Sequence, residues 1–228
     1  MNSKVILWLN AGSPSLKFAL YQIADGNETP LARGAVEHDG QTCRLWVYTA
    51  EQKIDKTDKV AFTLSAALHP AVTELEQLKL PPLDAVGDRV VQGGPNHATP
   101  VRMTASLCEE LRALIPFAPL HLPAEIAGIE SVSLRFLDTP QAACFDTAFH
   151  RSMPEVAQRL PLPRALWDEG VRRYGFHGIS YEYIRRTLCQ PPPARVIIAQ
   201  LGSGASMPAL REGSPTDTTM GFTPRGAS

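Results

Sequence analysis

Cysteine is scarce in this chain and badly placed for covalent or metal cross-linking. Cys43, Cys108, Cys144 and Cys189 form neither a CxxC pair nor a cluster with histidine, which argues against a disulfide framework and against a zinc site. They read as core thiols in a reducing compartment. An excess of charge is also absent: 22 basic residues meet 23 acidic ones, so no broad field favours nucleic acid or an anionic membrane, and a small-molecule partner is the default. The N-terminus offers only Lys4 and the short apolar run Val5 to Leu9, far below the roughly 18 residues of a membrane span and without a secretory cleavage region. Cytoplasm is the expected location. Neither the GxxxxGK[ST] loop nor the GxGxxG fingerprint occurs at the glycine-rich turns, which disfavours the P-loop and Rossmann families.

What is present suits a globular protein. With 228 residues, 44% of them hydrophobic, the chain can form one large domain or two modest ones. Val5 to Leu9 reads as a strand buried on both faces, and Leu16 to Ile23 as a second. Gly34 to Glu37 and Cys43 to Tyr48 are weaker strands separated by an easy reversal at His38, Asp39 and Gly40. From Asp58 onward Val60, Leu64, Ala67, Leu68, Val72, Leu75 and Leu78 recur at helical spacing, with Pro70 expected to kink or restart the helix. Ala85 to Val91 reads as a strand ending at Gly93 and Gly94. Ser106 and Glu109 form a possible capping box for a helix with Leu107, Leu111 and Leu114, and Pro123 is placed to open another through Phe136. Ala142 to Phe145 is a short strand, Ser180 to Leu188 a helix and Arg195 to Leu201 a strand. A meander followed by alternating helices and strands predicts an α/β domain over residues 1–150 and a second unit over 151–228, with the boundary in the proline-rich stretch Pro154 to Pro163.

The chain also echoes itself. VILWLNAGSPSLKFAL near the start returns as VIIAQLGSGASMPAL from Val196 to Leu210, each reading strand, Gly/Ser turn, strand. Such turns can gather backbone N–H groups and the hydroxyls of Ser13, Ser15, Ser203 and Ser206 around phosphate oxygens. Either alone could be a plain hairpin; the pair suggests a duplicated kinase core holding a nucleotide from two sides.

Seven segments then carry a family resemblance: NAGSPSLKF from Asn10, DRVVQGG from Asp88, FAPLHLPAEIAGI from Phe117, CFDTAFHRSMP from Cys144, RRYGFHGISYEYI from Arg172, QLGSGAS from Gln200 and DTTMGFTP from Asp217. In order and spread over nearly the whole chain, they resemble the acetate/propionate kinase family of the actin, heat-shock-chaperone and sugar-kinase superfamily. The resemblance implies duplicated actin-like (ribonuclease H-like) α/β domains, with the second domain incomplete. It implies transfer of a phosphoryl group from ATP, with Mg2+, to acetate or another short-chain carboxylate, giving an acyl phosphate and ADP. It also implies a homodimer, and no nucleic-acid or membrane partner.

Residue by residue, Arg89 matches the family arginine that meets the carboxylate or moving phosphoryl. His177 matches the histidine that donates to the transition state, and His121 a second histidine near it. Asp146 matches the acid linked to magnesium, with Asn10 as a further metal contact. Asn10, Ser13, Ser15 and Lys17 match the first phosphate turn, and Gly202, Ser203 and Gly204 the second. Val91, Leu120, Phe176 and Pro224 match the apolar pocket for the acid's methyl group. Without the family these would read as an ion-paired arginine, packing histidines, a turn-forming carboxylate and plain core.

The match is imperfect. Pro14 interrupts the serine run of the first turn and removes one backbone donor. Gln92 and Gln200 stand where most relatives have histidine, and glutamine cannot become cationic. Ser203 replaces an asparagine of the second turn, and Leu122 and Glu125 replace asparagines of LHNPAN. After GFTP come Arg225 to Ser228, where the family continues with a glycine-rich segment and a second catalytic arginine. A C-terminally truncated chain of doubtful turnover is therefore expected, lacking most of the dimer interface and with a mobile or aggregation-prone region after about residue 150. A noncatalytic nucleotide- or acyl-phosphate-binding module and an inert fragment of a disrupted reading frame stay open as alternatives.

Overall fold

A computed structural model describes residues 3–12, 15–58, 64–188, 190–202 and 204–224. The expectations on Ser13, Pro14, Val60, Cys189 and Ser203 fall outside them. The chain forms two compact units, one of residues 1–89, 102–112 and 120–143 and the other of 90–101, 113–119 and 144–228. They are interleaved in sequence and do not coincide with a single cut at residue 150.

In the first unit β1 (Lys4–Ala11), β2 (Ser15–Ala24), β3 (Asn27–His38), β4 (Cys43–Thr49) and β5 (Lys53–Asp58) form an antiparallel meander. After α1 (Leu64–Gln77), β6 (Ala85–Val90) returns parallel to β1, with Leu9 opposite Asp88. With β7 (Val101–Arg102) and β8 (Gln141–Phe145) the sheet order is β5-β4-β3-β2-β1-β6-β8-β7. Strands β6 and β8 begin in the first unit and end in the second. Helices α2 (Ala105–Ala113) and α3 (Leu122–Arg135) complete the first unit.

The run Val5 to Leu9 is not buried on both faces as expected. Val5, Leu7 and Leu9 enter the core with Leu16, Phe18, Leu20, Ala67, Leu68, Val72 and Val132, whereas Trp8 keeps 37% of its surface exposed. Successive strand residues point to opposite faces, and α1 and α3 pack on only one of them. Each fully buried leucine or valine contributes about 1.5 to 3 kcal/mol there. Strand β5, KIDKTD, escapes the hydrophobic pattern altogether. It is an exposed charged edge, a composition that blocks further strand pairing.

Helix α1 is continuous through Pro70, so the proline neither ends nor restarts it. The capping expectation for α2 is corrected by two residues: Thr104, not Ser106, accepts the Leu107 N–H on its hydroxyl at 3.1 Å, and Glu109 turns to Arg112 instead. Pro123 sits in the first turn of α3 as expected.

The second unit holds the short helices α4 (Glu155–Gln158) and α5 (Ala165–Asp168), then α6 (Gly178–Leu188) and the sheet β11-β10-β9, made from β9 (Arg195–Ile197), β10 (Pro208–Arg211) and β11 (Ser214–Thr218). Tyr181, Ile198 and Leu210 form a small buried cluster within it. Among the described residues no helix is long and apolar enough to cross a membrane.

Candidate active site

The first unit gathers one group of expected residues at the ends of β1 and β6. The register of β1 against β2 sets Asn10 opposite Lys17. The parallel pairing of β1 with β6 brings Arg89 beside Asn10, and Arg89 Nη1 donates to Asn10 Oδ1 at 3.0 Å. Gly87 permits this arrangement, since a Cβ there would meet the Trp8 ring at 2.9 Å. Ser15 closes the turn through reciprocal backbone bonds with Gly12. Lys17 is exposed, Arg89 half-buried. His121 and Leu120 lie elsewhere in this unit, at the start of α3, where the His121 carbonyl accepts the Glu125 N–H. Leu122 and Glu125, which replace family asparagines, are both buried.

The opposite face of β6 carries a group that no motif assigned. Asp88 is buried and accepts from Gln141 Nε2 at 2.7 Å. Gln141 is itself held by Ser133 and by the Ile129 carbonyl of α3. Burial pushes the Asp88 carboxyl up to about 7, although the Gln141 bond opposes the shift. The alternation Val86, Asp88, Val90 against Gly87, Arg89 was the available signal.

The second unit assembles Asp146, His177 and Gly204. Asp146 is fully buried just after β8, and its carbonyl accepts the Gly178 N–H at 2.9 Å, which ties it to the first residue of α6. His177, immediately before that helix, shares a 2.8 Å hydrogen bond between Nδ1 and Ser206 Oγ. Tyr181, one turn into α6, donates its hydroxyl to the Ser206 carbonyl at 2.8 Å and also contacts Ser206 Oγ. Ser206 therefore orients His177. A Cβ added at Gly204 would lie 3.9 Å from His177 Cε1, so the second glycine turn runs beside the imidazole.

The two Gly/Ser turns differ in size. Gly12 and Ser15 close a tight hairpin, whereas Gln200 and Ser206 bridge a wider loop through paired bonds of 2.9 and 3.0 Å. Gln200 also accepts from Ser180 at 3.0 Å. Gln92, the other expected histidine substitute, is fully buried and uses its Oε1 to accept the Gly94 N–H. It shapes a turn in which Gly94 has φ +62°.

His150 was also missed. It is buried, and its Nε2 lies 3.0 Å from the Phe176 carbonyl; facing an acceptor, that nitrogen carries the proton. Burial holds His150 down at about 4, against opposing contributions from the Phe176 carbonyl and Asp146. Gly175 makes room for it: its φ is +64°, and a Cβ there would meet the His150 ring at 2.5 Å. Of the expected pocket residues, Val91 and Phe176 are buried and Pro224 half-buried in this unit, whereas Leu120 belongs to the first unit and is 55% exposed.

His177 adopts φ +61°, a left-handed conformation that costs a non-glycine residue about 1 to 2 kcal/mol. His177→Gly is expected to be more stable than His177→Ala by about 1 kcal/mol, because only glycine relieves that conformation. Equal urea midpoints for the two variants would rule the strain out.

Solved structures share the fold. A propionate kinase from Francisella tularensis subsp. tularensis SCHU S4 superposes with a TM-score of 0.84 at 36% identity, covering 97% of this chain and 58% of its own. An acetate kinase from Porphyromonas gingivalis gives 0.81 at 32%, with coverage of 97% and 58%. The architecture is thus that of the actin-like, sugar-kinase-type α/β proteins. The sequence profile described as the Acetokinase family matches residues 5–227, and the chain belongs to that family. The acetate kinase of Rhizobium meliloti is 44% identical over 223 residues, covering 94% of this chain and 57% of the relative. The chain spans less than three fifths of the length of such relatives.

Proposed function

We propose that the chain serves a cytoplasmic carboxylate kinase reaction, in which an oxygen of a short-chain carboxylate attacks the γ-phosphorus of ATP in line and the bond to the ADP oxygen breaks. Acetate is the first substrate and acetyl phosphate the product. The observation that carries this reading is the fixed His177: Ser206 holds its Nδ1, and the second glycine turn runs beside its ring at Gly204. Such transfers leave the protein little covalent work, so positioning and charge neutralisation dominate. Arg89, steadied by Asn10, supplies a planar cation suited to a carboxylate or phosphoryl group. Lys17 and Ser15 would meet phosphate at the first turn, and Gly202 and Gly204 at the second. His121 would assist, and Val91, Leu120, Phe176 and Pro224 would bound the acid's alkyl end. One methylene is worth about 1 to 3 kcal/mol in such a pocket, so acetate and propionate are both admissible.

Among the described residues no three His, Cys, Asp or Glu side chains gather as a metal cluster. Magnesium arriving with ATP takes one or two protein oxygens and completes its shell with phosphate and water. Asp146 would provide the carboxylate, and Asn10 Oδ1 retains a lone pair beside the one used by Arg89. Bound there, the ion would neutralise phosphate charge.

The test is an acyl-hydroxamate assay with ATP, magnesium and acetate, run beside calorimetric titration of ATP. Acetate-dependent product is expected, falling about ten- to a hundredfold in Arg89→Gln, the worth of one charge-assisted hydrogen bond or slightly more. ATP binding without product would assign the chain a binding role, and product formation indifferent to Arg89 would remove the site.

A further inference from the structure

Two guanidinium groups of the second unit lie outside the machinery assigned to phosphoryl transfer. Arg151 lies in the short 3-10 turn Ala148–Ser152, and Arg172 opens the RRYGFHG stretch. Arg151 donates through Nη2 to the Pro95 carbonyl at 2.8 Å. Its Nε and Nη1 are buried without a hydrogen-bond partner, and so is Nε of Arg172. The Arg172 guanidinium lies 4.1 Å from the Trp167 ring centroid, and that of Arg159 lies 4.7 Å from the same ring. Arg159 is satisfied by Glu155. Among the described residues neither Arg151 nor Arg172 makes an ion pair.

This arrangement is unfavourable as it stands. Guanidinium groups keep their proton, and a buried donor without an acceptor forfeits its hydration. Here burial, joined by the nearby charge of Arg172, pushes the Arg151 guanidinium below its ordinary value. Stacking on Trp167 occupies a face of Arg172 and leaves its N–H edge for an acceptor.

We propose that Arg151 and Arg172, with Trp167 stacked on Arg172, form a binding site for one small oxyanion of the carboxylate or phosphate type. The three partnerless donors match the acceptor capacity of a single compact anion, and the balanced charge of the whole chain gives no footing for a long polyanion. Phosphate, with the higher charge and oxygens on all sides, can accept from both guanidinium groups, so it should bind more tightly than acetate. The site stands independently of the proposed reaction.

The full 228-residue chain would be titrated with inorganic phosphate and, separately, with acetate, at ionic strength held constant by chloride, following tryptophan fluorescence. A saturable change is expected, and it should disappear in Trp167→Phe. In Arg151→Met and Arg172→Met the dissociation constant should rise about ten- to a hundredfold, as for the loss of one or two charge-assisted hydrogen bonds. Arg151→Lys preserves the charge and a donor for Pro95 but lacks the planar fork. It should weaken binding about tenfold, and it carries the test if the methionine variants do not fold. Saturation by acetate alone, lost in the same variants, identifies a carboxylate site; saturation by phosphate identifies a phosphate site. Absence of saturation with both anions, or affinities unchanged in all the arginine variants, overturns the proposal.

Discussion

Gly178→Ala is expected to destabilise the protein by about 3 kcal/mol or more, at the upper end of overpacking effects. A Cβ at that position would lie 2.1 Å from the Asp146 carbonyl oxygen and 2.7 Å from Phe149 Cβ. The first obstacle is backbone and cannot rotate away. It is also the acceptor of the Gly178 N–H at 2.9 Å, so relief of the clash must stretch that bond and draw α6 from the end of β8. His177 precedes Gly178 in sequence, and Asp146 supplies the accepting carbonyl on the other side, so a single methyl group should disturb both candidate catalytic residues. Gly221→Ala is the matched control. It has open space around the new Cβ and should stay within about 0.5 kcal/mol of the parent. Urea unfolding of the two variants decides the matter; a Gly178→Ala midpoint as high as the control's would show that the contact is soft.

That contact also marks the limit of what the sequence could reveal. The strands of the meander follow from apolar runs and turn residues, and Arg89 and Asn10 from short motifs that parallel pairing brings together. Strand β5 was invisible because a charged edge buries too little to leave a periodic pattern. The cap of α2 was misplaced because Ser106 has a glutamate three residues on, whereas Thr104, which makes the bond, has Leu107 there. In the site, the grip of Ser206 on His177 joins residues 29 apart in the chain. It depends on where α6 begins and on the Gln200–Ser206 bridge, neither of which is encoded locally. The left-handed His177 is likewise not legible locally, since positive φ is uncommon for any residue but glycine even though histidine is enriched there. Departures of this kind at a site, where the chain accepts strain to hold a side chain, fit a functional demand better than a folding one.

Asp88→Asn is expected to stabilise the protein by about 2 to 3 kcal/mol at pH 8 and to have little effect near pH 4. The carboxyl has a folded-state value of about 7 against an ordinary 3.8, with burial as the main cause. A raised value means that the folded protein holds the proton more tightly than the unfolded chain. The favourable contribution is therefore complete below about pH 4 and is lost as the pH rises towards 7 and beyond, with a full span on the order of 4 kcal/mol. Asparagine cannot ionise and still accepts from Gln141, but its second amide hydrogen needs an acceptor, which trims the gain by about 1 kcal/mol. His150 works in the opposite direction. Its folded-state value of about 4 lies below the ordinary 6.5, so its contribution is present above pH 6.5 and is lost as the pH falls through 4. In the parent protein the two slopes oppose each other across pH 4 to 6.5. Asp88→Asn should expose the histidine's slope alone, with stability falling as the solution is acidified from pH 6.5. Urea midpoints at half-unit steps from pH 4 to 8 make the comparison, and parallel curves for parent and variant would mean that Asp88 stays ionised in the fold.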